Sequence, residues 1–347
     1  MPEADTTSRQ SALRHWAAER HGVAPDALDL HLAADDASFR RYFRLVLADG
    51  TRRILMDAPP DKEDSAPFVA IARRWADADL PVPRLHAVDL DTGFLELEDL
   101  GDTPLQLCFG ASEAPATLAW HDRALTLLDA LQNRAEPVGL PAYDADLLGR
   151  ELDLFPVWCL DHWLTLTPPP SWPTLRQQLI DNALAQPVVT VHRDFDAMNL
   201  MVADDDLHLI DFQDAVAGPL SYDLISLLHG RYCRFPASRR HAWIEAFRQR
   251  AMADGRLDDI DASSFQRWAA GMAVQRALKV IGIFCRLTLR DGRQGYLARV
   301  PHFLDHLEDA LAEQDEFADF RDWVAYTLRP ALLAKLEAQG IAWERVA

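Results

Sequence analysis

Two polar motifs joined by one tight hairpin constrain this chain more than any other stretch. His192-Arg193-Asp194-Phe195-Asp196-Ala197-Met198-Asn199 runs into two short apolar segments, Leu200 to Val202 and Leu207 to Ile210, and then into Asp211-Phe212-Gln213-Asp214. Asp194 and Asn199 stand five residues apart on an expected loop, and Asp211 follows Asn199 by twelve. A hairpin built from the two apolar segments folds Asp211 back beside Asn199.

That spacing has a chemical reading. Kinase-type phosphoryl transfer needs one carboxylate to orient the attacking hydroxyl and take its proton, with separate oxygen ligands for the magnesium that bridges the nucleotide phosphates. Asp194 fits the first role, and Asn199 and Asp211 fit the second, because magnesium takes hard oxygen ligands and keeps part of its coordination for water and phosphate. Any one of these residues alone reads as a turn former. The ordered combination of HxDxxxxN, an apolar hairpin and IDF is hard to obtain from turn chemistry and matches the catalytic-loop and metal-loop order of kinases.

The 347 residues suffice for a sizeable core in two lobes sharing a cleft. A formal charge of −19 and a pI near 4.9 argue against a nucleic-acid partner. Cys108, Cys159, Cys233 and Cys285 are widely spaced, with no CxxC pair, and read as reduced thiols. No apolar leader and no run of about eighteen apolar residues occurs, so a cytoplasmic monomer with no membrane partner is expected.

Periodicity supplies the frame. Ser8 to Arg20 reads as a helix, Leu28 to Leu32, Tyr42 to Leu47 and Arg53 to Met56 as strands, and Asp49-Gly50 as the hairpin turn between the last two. A helix from Pro67 to Trp75 is inserted before two further strands, Arg84 to Val88 and Phe94 to Leu97. Glu98 to Asp102 breaks the pattern as a hinge. Helical segments follow, near Pro115 to Asn133, Asp144 to Leu164, Pro173 to Gln186, Tyr222 to Arg231, Arg239 to Met252, Ser264 to Leu289, His302 to Glu313 and Phe317 to Ala338. The fold class read from this order is α+β. It comprises a nucleotide-binding lobe over 1–97 with a small antiparallel sheet and one inserted helix, a hinge over 98–102, and a mainly helical catalytic lobe over 103–347.

With both motif halves in view, the chain resembles the aminoglycoside phosphotransferase branch of the protein-kinase-like fold over nearly its whole length. DASFRRYFRL at Asp36 to Leu45, LMDAPPDKEDSAPF at Leu55 to Phe68, LEDLGD at Leu97 to Asp102, and DFQDAVAGPLSYDLISLL at Asp211 to Leu228 are similar to the bacterial anomeric sugar kinases. Those enzymes phosphorylate the C1 hydroxyl of N-acetylmuramate and N-acetylglucosamine in peptidoglycan recycling. The resemblance implies ATP and Mg2+ as cofactors, an amino sugar as substrate, Asp194 as base, Asn199 and Asp211 as metal ligands, and the backbone around Glu96, Glu98 and Leu100 as the adenine contact. It further implies that Asp223 braces the catalytic loop.

The chain departs from ordinary kinases in two places. The loop before the second strand lacks GxGxxG, so its phosphate contacts fall to backbone amides, Ser38, Phe39 and Arg40. The third strand lacks the usual lysine and ends Leu55-Met56-Asp57, leaving Lys62 as the sole lysine of the small lobe, either as a substitute or as a solvated side chain. Arg40 and Arg41 should point to opposite faces.

For the acceptor, Glu151 and Trp158 stand seven apart on one helical face and offer a carboxylate and an aromatic platform. Asp196 and Asp214 are further candidates for sugar hydroxyls or for a second metal. His229, Arg231, Arg286 and Arg290 are candidate partners for a lactyl carboxylate, and Phe155 and Trp158 also suit a core role. Rival readings are a kinase of another small hydroxyl compound (aminoglycoside, choline or homoserine), a protein kinase, and a non-catalytic nucleotide-binding scaffold.

Overall fold

The computed structural model describes residues 2–35 and 39–343, so Ser38 lies outside the described residues. In chain order the first elements are helix α1 (Pro2–His21), strands β1 (Asp29–Asp35), β2 (Arg41–Val46) and β3 (Arg52–Asp57), helix α2 (Ala66–Asp77), and strands β4 (Leu85–Asp89) and β5 (Phe94–Glu98). Helices α3 (Pro115–Arg134), α4 (Ala145–Leu152) and α5 (Trp172–Leu184) follow, then strands β6 (Val188–Val191), β7 (Leu200–Ala203), β8 (Asp206–Leu209) and β9 (Val216–Pro219). The chain ends in helices α6 (Tyr222–Leu228), α7 (Ala237–Ala253), α8 (Ala262–Leu289), α9 (Val300–Leu311), α10 (Ala318–Trp323) and α11 (Arg329–Ala338). Two compact units result, Met1–Thr103 with Met201–Gln213, and Pro104–Leu200 with Asp214–Ala347.

The first unit is built on an antiparallel sheet in the order β1-β2-β3-β5-β4. Its β2–β3 turn is the expected one: Gly50 adopts φ 83, and Asp49 accepts the Thr51 N–H at 2.8 Å. Alternation along β2 turns Phe43 and Leu45 to the same side, where they join Leu55 and Phe94 in a core sealed by Leu13 and Ala17 of α1. Each such large side chain contributes about 1.5–3 kcal/mol when buried. Helix α2 buries Phe68, Ile71 and Trp75.

The β7–β8 hairpin packs with the first unit, whereas the sequence had placed all of 103–347 in one lobe. Long-range contacts decide its place. Val202 N–H donates to Thr103 O at 2.8 Å, Leu209 N–H donates to Pro81 O at 2.7 Å, and Phe212 stacks on Phe68 with ring centroids 5.0 Å apart. Asp211 therefore belongs to the first unit.

The second unit is helical around α8, in which residues from Ala269 to Ile281 are buried. The segment expected as one helix from Asp144 to Leu164 is two pieces, α4 and a π-helical stretch over Phe155–Leu164. Pro156 has no N–H to give to the ladder, which accounts for the break. Gly282 brings this bend onto α8: a Cβ there would stand 2.5 Å from Leu154 C and 2.7 Å from Phe155 N. Glu151 therefore stands on α4 and Trp158 on the π-helical stretch, on either side of the bend. Strands β6 and β9 pair antiparallel, from Val188 opposite Pro219 to Val191 opposite Val216.

Candidate functional site

The loop after β6 is locked from several sides. Asp223, fully buried at the start of α6, accepts the backbone N–H of His192 at 2.6 Å and of Arg193 at 3.1 Å. Arg193 takes φ 77, a conformation costly for a side-chain-bearing residue, and those two bonds help to hold it. Asp196 N–H donates to Asp194 O at 2.8 Å, Asn199 N–H donates to Asp196 O at 2.8 Å, and the Asn199 side-chain amide donates to Asp194 O at 2.9 Å. With its nitrogen so engaged, Asn199 leaves its amide oxygen as the accepting end of the side chain. His192 is fully buried, its ring edge-on to Phe195 at 6.0 Å.

Beneath the loop lies an ion cluster. Glu151 is buried and takes Arg193 Nη2 at 2.7 Å and Lys279 Nζ at 3.0 Å on Oε1, and the Tyr143 hydroxyl on Oε2. Lys279 also donates to the Tyr222 hydroxyl at 2.7 Å. Burial pushes the Glu151 carboxyl up, but Lys279 and Arg193 outweigh it and hold the group below the ordinary carboxylate range. Burial alone would lower Lys279, yet Glu151 keeps it raised and charged. Burial drives the Tyr143 hydroxyl well up, so it stays a neutral donor.

The cluster borders a cavity of about 680 Å³ within the second unit, lined by Asp194, Glu151, Trp158, Asp214, Ile283 and Arg286 among others. Four residues singled out by sequence, Asp194, Glu151, Trp158 and Asp214, thus meet at one cavity. Trp158 is half-buried with His162 stacked on it at 4.7 Å, whereas Phe155 is wholly core. Asp196 is elsewhere: it is buried, 3.4 Å from Arg231 Nε, and accepts the Met198 N–H at 3.3 Å. Lys279 was missed. Its signal was a lone lysine between Leu278 and Val280 in an apolar helix, where burial demands a counter-charge.

In the first unit, Arg40 is buried and pairs with Glu63 at 2.7 Å, while Lys62 is exposed with its ammonium 5.4 Å from the ring centroid of exposed Phe39. Where an ordinary kinase carries its third-strand lysine, Asp57 is fully buried and holds Arg9 and Arg41, each at 2.5 Å. Arg40 and Arg41 thus engage different partners, as their alternation requires. Glu96 is buried beside His21 Nε2 (3.3 Å) and Arg20 Nε (3.4 Å), Glu98 accepts the Arg84 N–H at 3.1 Å, and Leu100 is buried.

Burial pushes Asp223 up to about 7, against the two N–H bonds that favour its ionised form. Its folded-state value lies above the unfolded one near 3.8. The stability it contributes is therefore complete below that lower value and lost as pH rises through about 7. Thermal melts of wild type and D223N from pH 4 to pH 8 should show the wild-type advantage shrinking across that interval. A constant difference would assign the brace to hydrogen bonding alone.

Residues 29–258 match the model of the phosphotransferase enzyme family. A relative from Pseudomonas putida named N-acetylmuramate/N-acetylglucosamine kinase is 39% identical over 338 residues, covering 94% of this chain and 98% of its own. A second of that name, from Pseudomonas aeruginosa, is 39% identical over 317 residues, covering 89% of this chain and 91% of its own. Among solved structures, an aminoglycoside phosphotransferase with ADP bound superposes with a TM-score of 0.53 at 14% identity, covering 86% of this chain and 98% of that one, a likeness of fold. On the family match and the extent of these identities, the chain belongs to the phosphotransferase enzyme family.

Proposed function

We propose that this protein transfers the γ-phosphoryl group of ATP to the anomeric hydroxyl of N-acetylmuramate and of N-acetylglucosamine. The observation that carries the reading is the cavity that sets Asp194 among a carboxylate, an indole face and cations of the second unit. The two relatives named as kinases of those sugars, each covered over nine-tenths or more of its length, support the choice of acceptor. Trp158 supplies a surface for the C–H face of a pyranose, and Asp214 and Glu151 supply acceptors for its hydroxyls.

Asp194 orients the C1 hydroxyl and takes its proton as the oxygen attacks the γ-phosphorus and the bond to the β-phosphate oxygen breaks, giving ADP and a sugar 1-phosphate. A hemiacetal hydroxyl is more acidic than an ordinary alcohol, so a carboxylate is an adequate base. Among the described residues no group of three or more His, Cys, Asp or Glu could hold a metal by itself. Asn199 and Asp211 nevertheless offer an amide oxygen and a carboxylate, hard donors that suit magnesium arriving with phosphates. Bound magnesium would offset charge on the transferring group. Arg40, Lys62, Phe39 and Ser38 are assigned to the phosphates, and the backbone from Glu96 to Leu100 to the adenine. No helix of the described residues is long and apolar enough to cross a membrane.

The test is ADP release with N-acetylmuramate, N-acetylglucosamine, an aminoglycoside, choline and homoserine side by side, with magnesium and with excess chelator. Turnover of the two amino sugars alone, lost on chelation, is expected. Turnover confined to one of the other acceptors would overturn the sugar assignment.

A further inference from the structure

We propose that Arg286 receives the lactyl carboxylate of N-acetylmuramate and so sets the balance between the two sugars; this rests on the sugar-kinase reading above. Lys279, Ile283 and Arg286 follow one another at helical spacing along α8, and all three line the cavity that holds Asp194. Seven residues of helix separate Lys279 from Arg286, about 10 Å at 1.5 Å per residue. The inner end of this row belongs to the loop and its ion cluster. With C1 at Asp194, the O3 substituent is assigned to the Arg286 end of the row, which lines the same cavity.

Charge accounting singles out Arg286. Lys279 and Arg193 share Glu151, Arg176 takes Asp153 at 2.7 Å, Arg231 lies against Asp196, and Arg290 pairs with Asp291 at 2.6 Å. Arg286 also lines the cavity, is half-buried, and makes no ion pair within 4.0 Å among the described residues. Its Nε is buried and donates no hydrogen bond. Arg150, the other uncommitted cation at this cavity, is exposed on α4 and keeps its water. Burial costs this half-buried guanidinium hydration, the Asp291 carboxylate whose charge favours it is paired to Arg290, and the like charge of Arg290 adds to the cost, so an incoming carboxylate gains a two-pronged, charge-assisted contact.

The two sugars are chemically identical except at O3, where N-acetylmuramate carries a lactyl ether ending in a carboxylate. A cation reaching that position therefore acts on one sugar and is silent toward the other. Of the four basic residues that sequence offered for this role, His229 is buried, Arg231 and Arg290 are paired, and Arg286 lines the cavity.

The experiment measures kcat and KM for both sugars with wild type, R286Q and R286K, and adds the methyl ester of N-acetylmuramate as a third acceptor. R286Q should lower kcat/KM for N-acetylmuramate about 10- to 100-fold more than for N-acetylglucosamine, mainly through KM, with R286K between. On wild type the ester should behave as the acid does on R286Q, a readout that no folding defect can imitate. Equal losses for both sugars in R286Q, or an ester used as well as the acid by wild type, would overturn the assignment of Arg286 alone. Wild type inactive on both sugars would instead overturn the reaction itself, and this inference with it.

Discussion

Asp194→Asn is expected to lower turnover by about two to four orders of magnitude while nucleotide binding persists. The amide is nearly isosteric with the carboxylate, so the cavity keeps its shape and the loop keeps its bonds, which run through the Asp194 backbone carbonyl to Asp196 and Asn199 and not through its side chain. In the proposed reaction the substitution removes the acceptor for the anomeric proton and the negative charge that would orient the hydroxyl. Because the loss concerns the transition state, kcat and kcat/KM should fall together with little change in the KM for sugar. Steady-state ADP release gives the first two quantities, and calorimetric titration with a non-hydrolysable ATP analogue gives nucleotide affinity. Turnover within a few-fold of wild type would remove Asp194 from the base role, and loss of nucleotide affinity would show that its charge acts on the phosphates.

How much of this was legible in the sequence follows from the range of the forces involved. Strands β2 and β3, their Asp49-Gly50 turn and the inserted α2 were readable because alternation, turn chemistry and helical spacing are local. Asp194 and Asn199 were singled out by the residue order that phosphoryl transfer demands, whereas Asp223 came from the family resemblance, and the structure gives it the His192 and Arg193 N–H groups. The placement of the β7–β8 hairpin was not, since it is decided by Phe212 on Phe68 and by the carbonyls of Pro81 and Thr103, residues about a hundred or more positions away. The break between α4 and the π-helical stretch was signalled by Pro156, but periodicity alone ran through it. The cluster of Glu151, Lys279, Arg193 and Tyr143 joins three distant segments, and only a buried lysine in an apolar helix hinted at it. Of the acceptor candidates, Glu151, Trp158 and Asp214 reached the cavity. Asp196 turned to Arg231, because spacing along a loop does not say which wall a side chain faces.

Glu151→Ala should be the most destabilising single change near the site, by about 3–5 kcal/mol, because it leaves two buried or half-buried cations without their common counter-charge. Lys279 is buried and Arg193 half-buried, so neither recovers water easily. The second consequence is local: Arg193 loses its side-chain anchor while its backbone remains in a left-handed conformation, and Asp194 is the next residue. Thermal or urea unfolding should report the stability loss, and kcat should fall in proportion to the fraction of loops displaced. Glu151→Gln should fall between the two, since an amide oxygen still accepts from both cations without offsetting their charge. The double variant E151L/K279M separates charge from packing: exchanging the pair for apolar groups of similar volume should recover part of the stability lost in E151A, while the single K279M leaves the carboxylate to Arg193 and Tyr143. Sugar affinity decides what else Glu151 does. If E151Q unfolds near wild type but shows a raised KM for both sugars alike, the carboxylate also receives a sugar hydroxyl on its remaining lone pair. If stability falls and the sugar KM of the folded fraction is unchanged, its function is confined to holding Arg193 and Lys279 in place beneath the base.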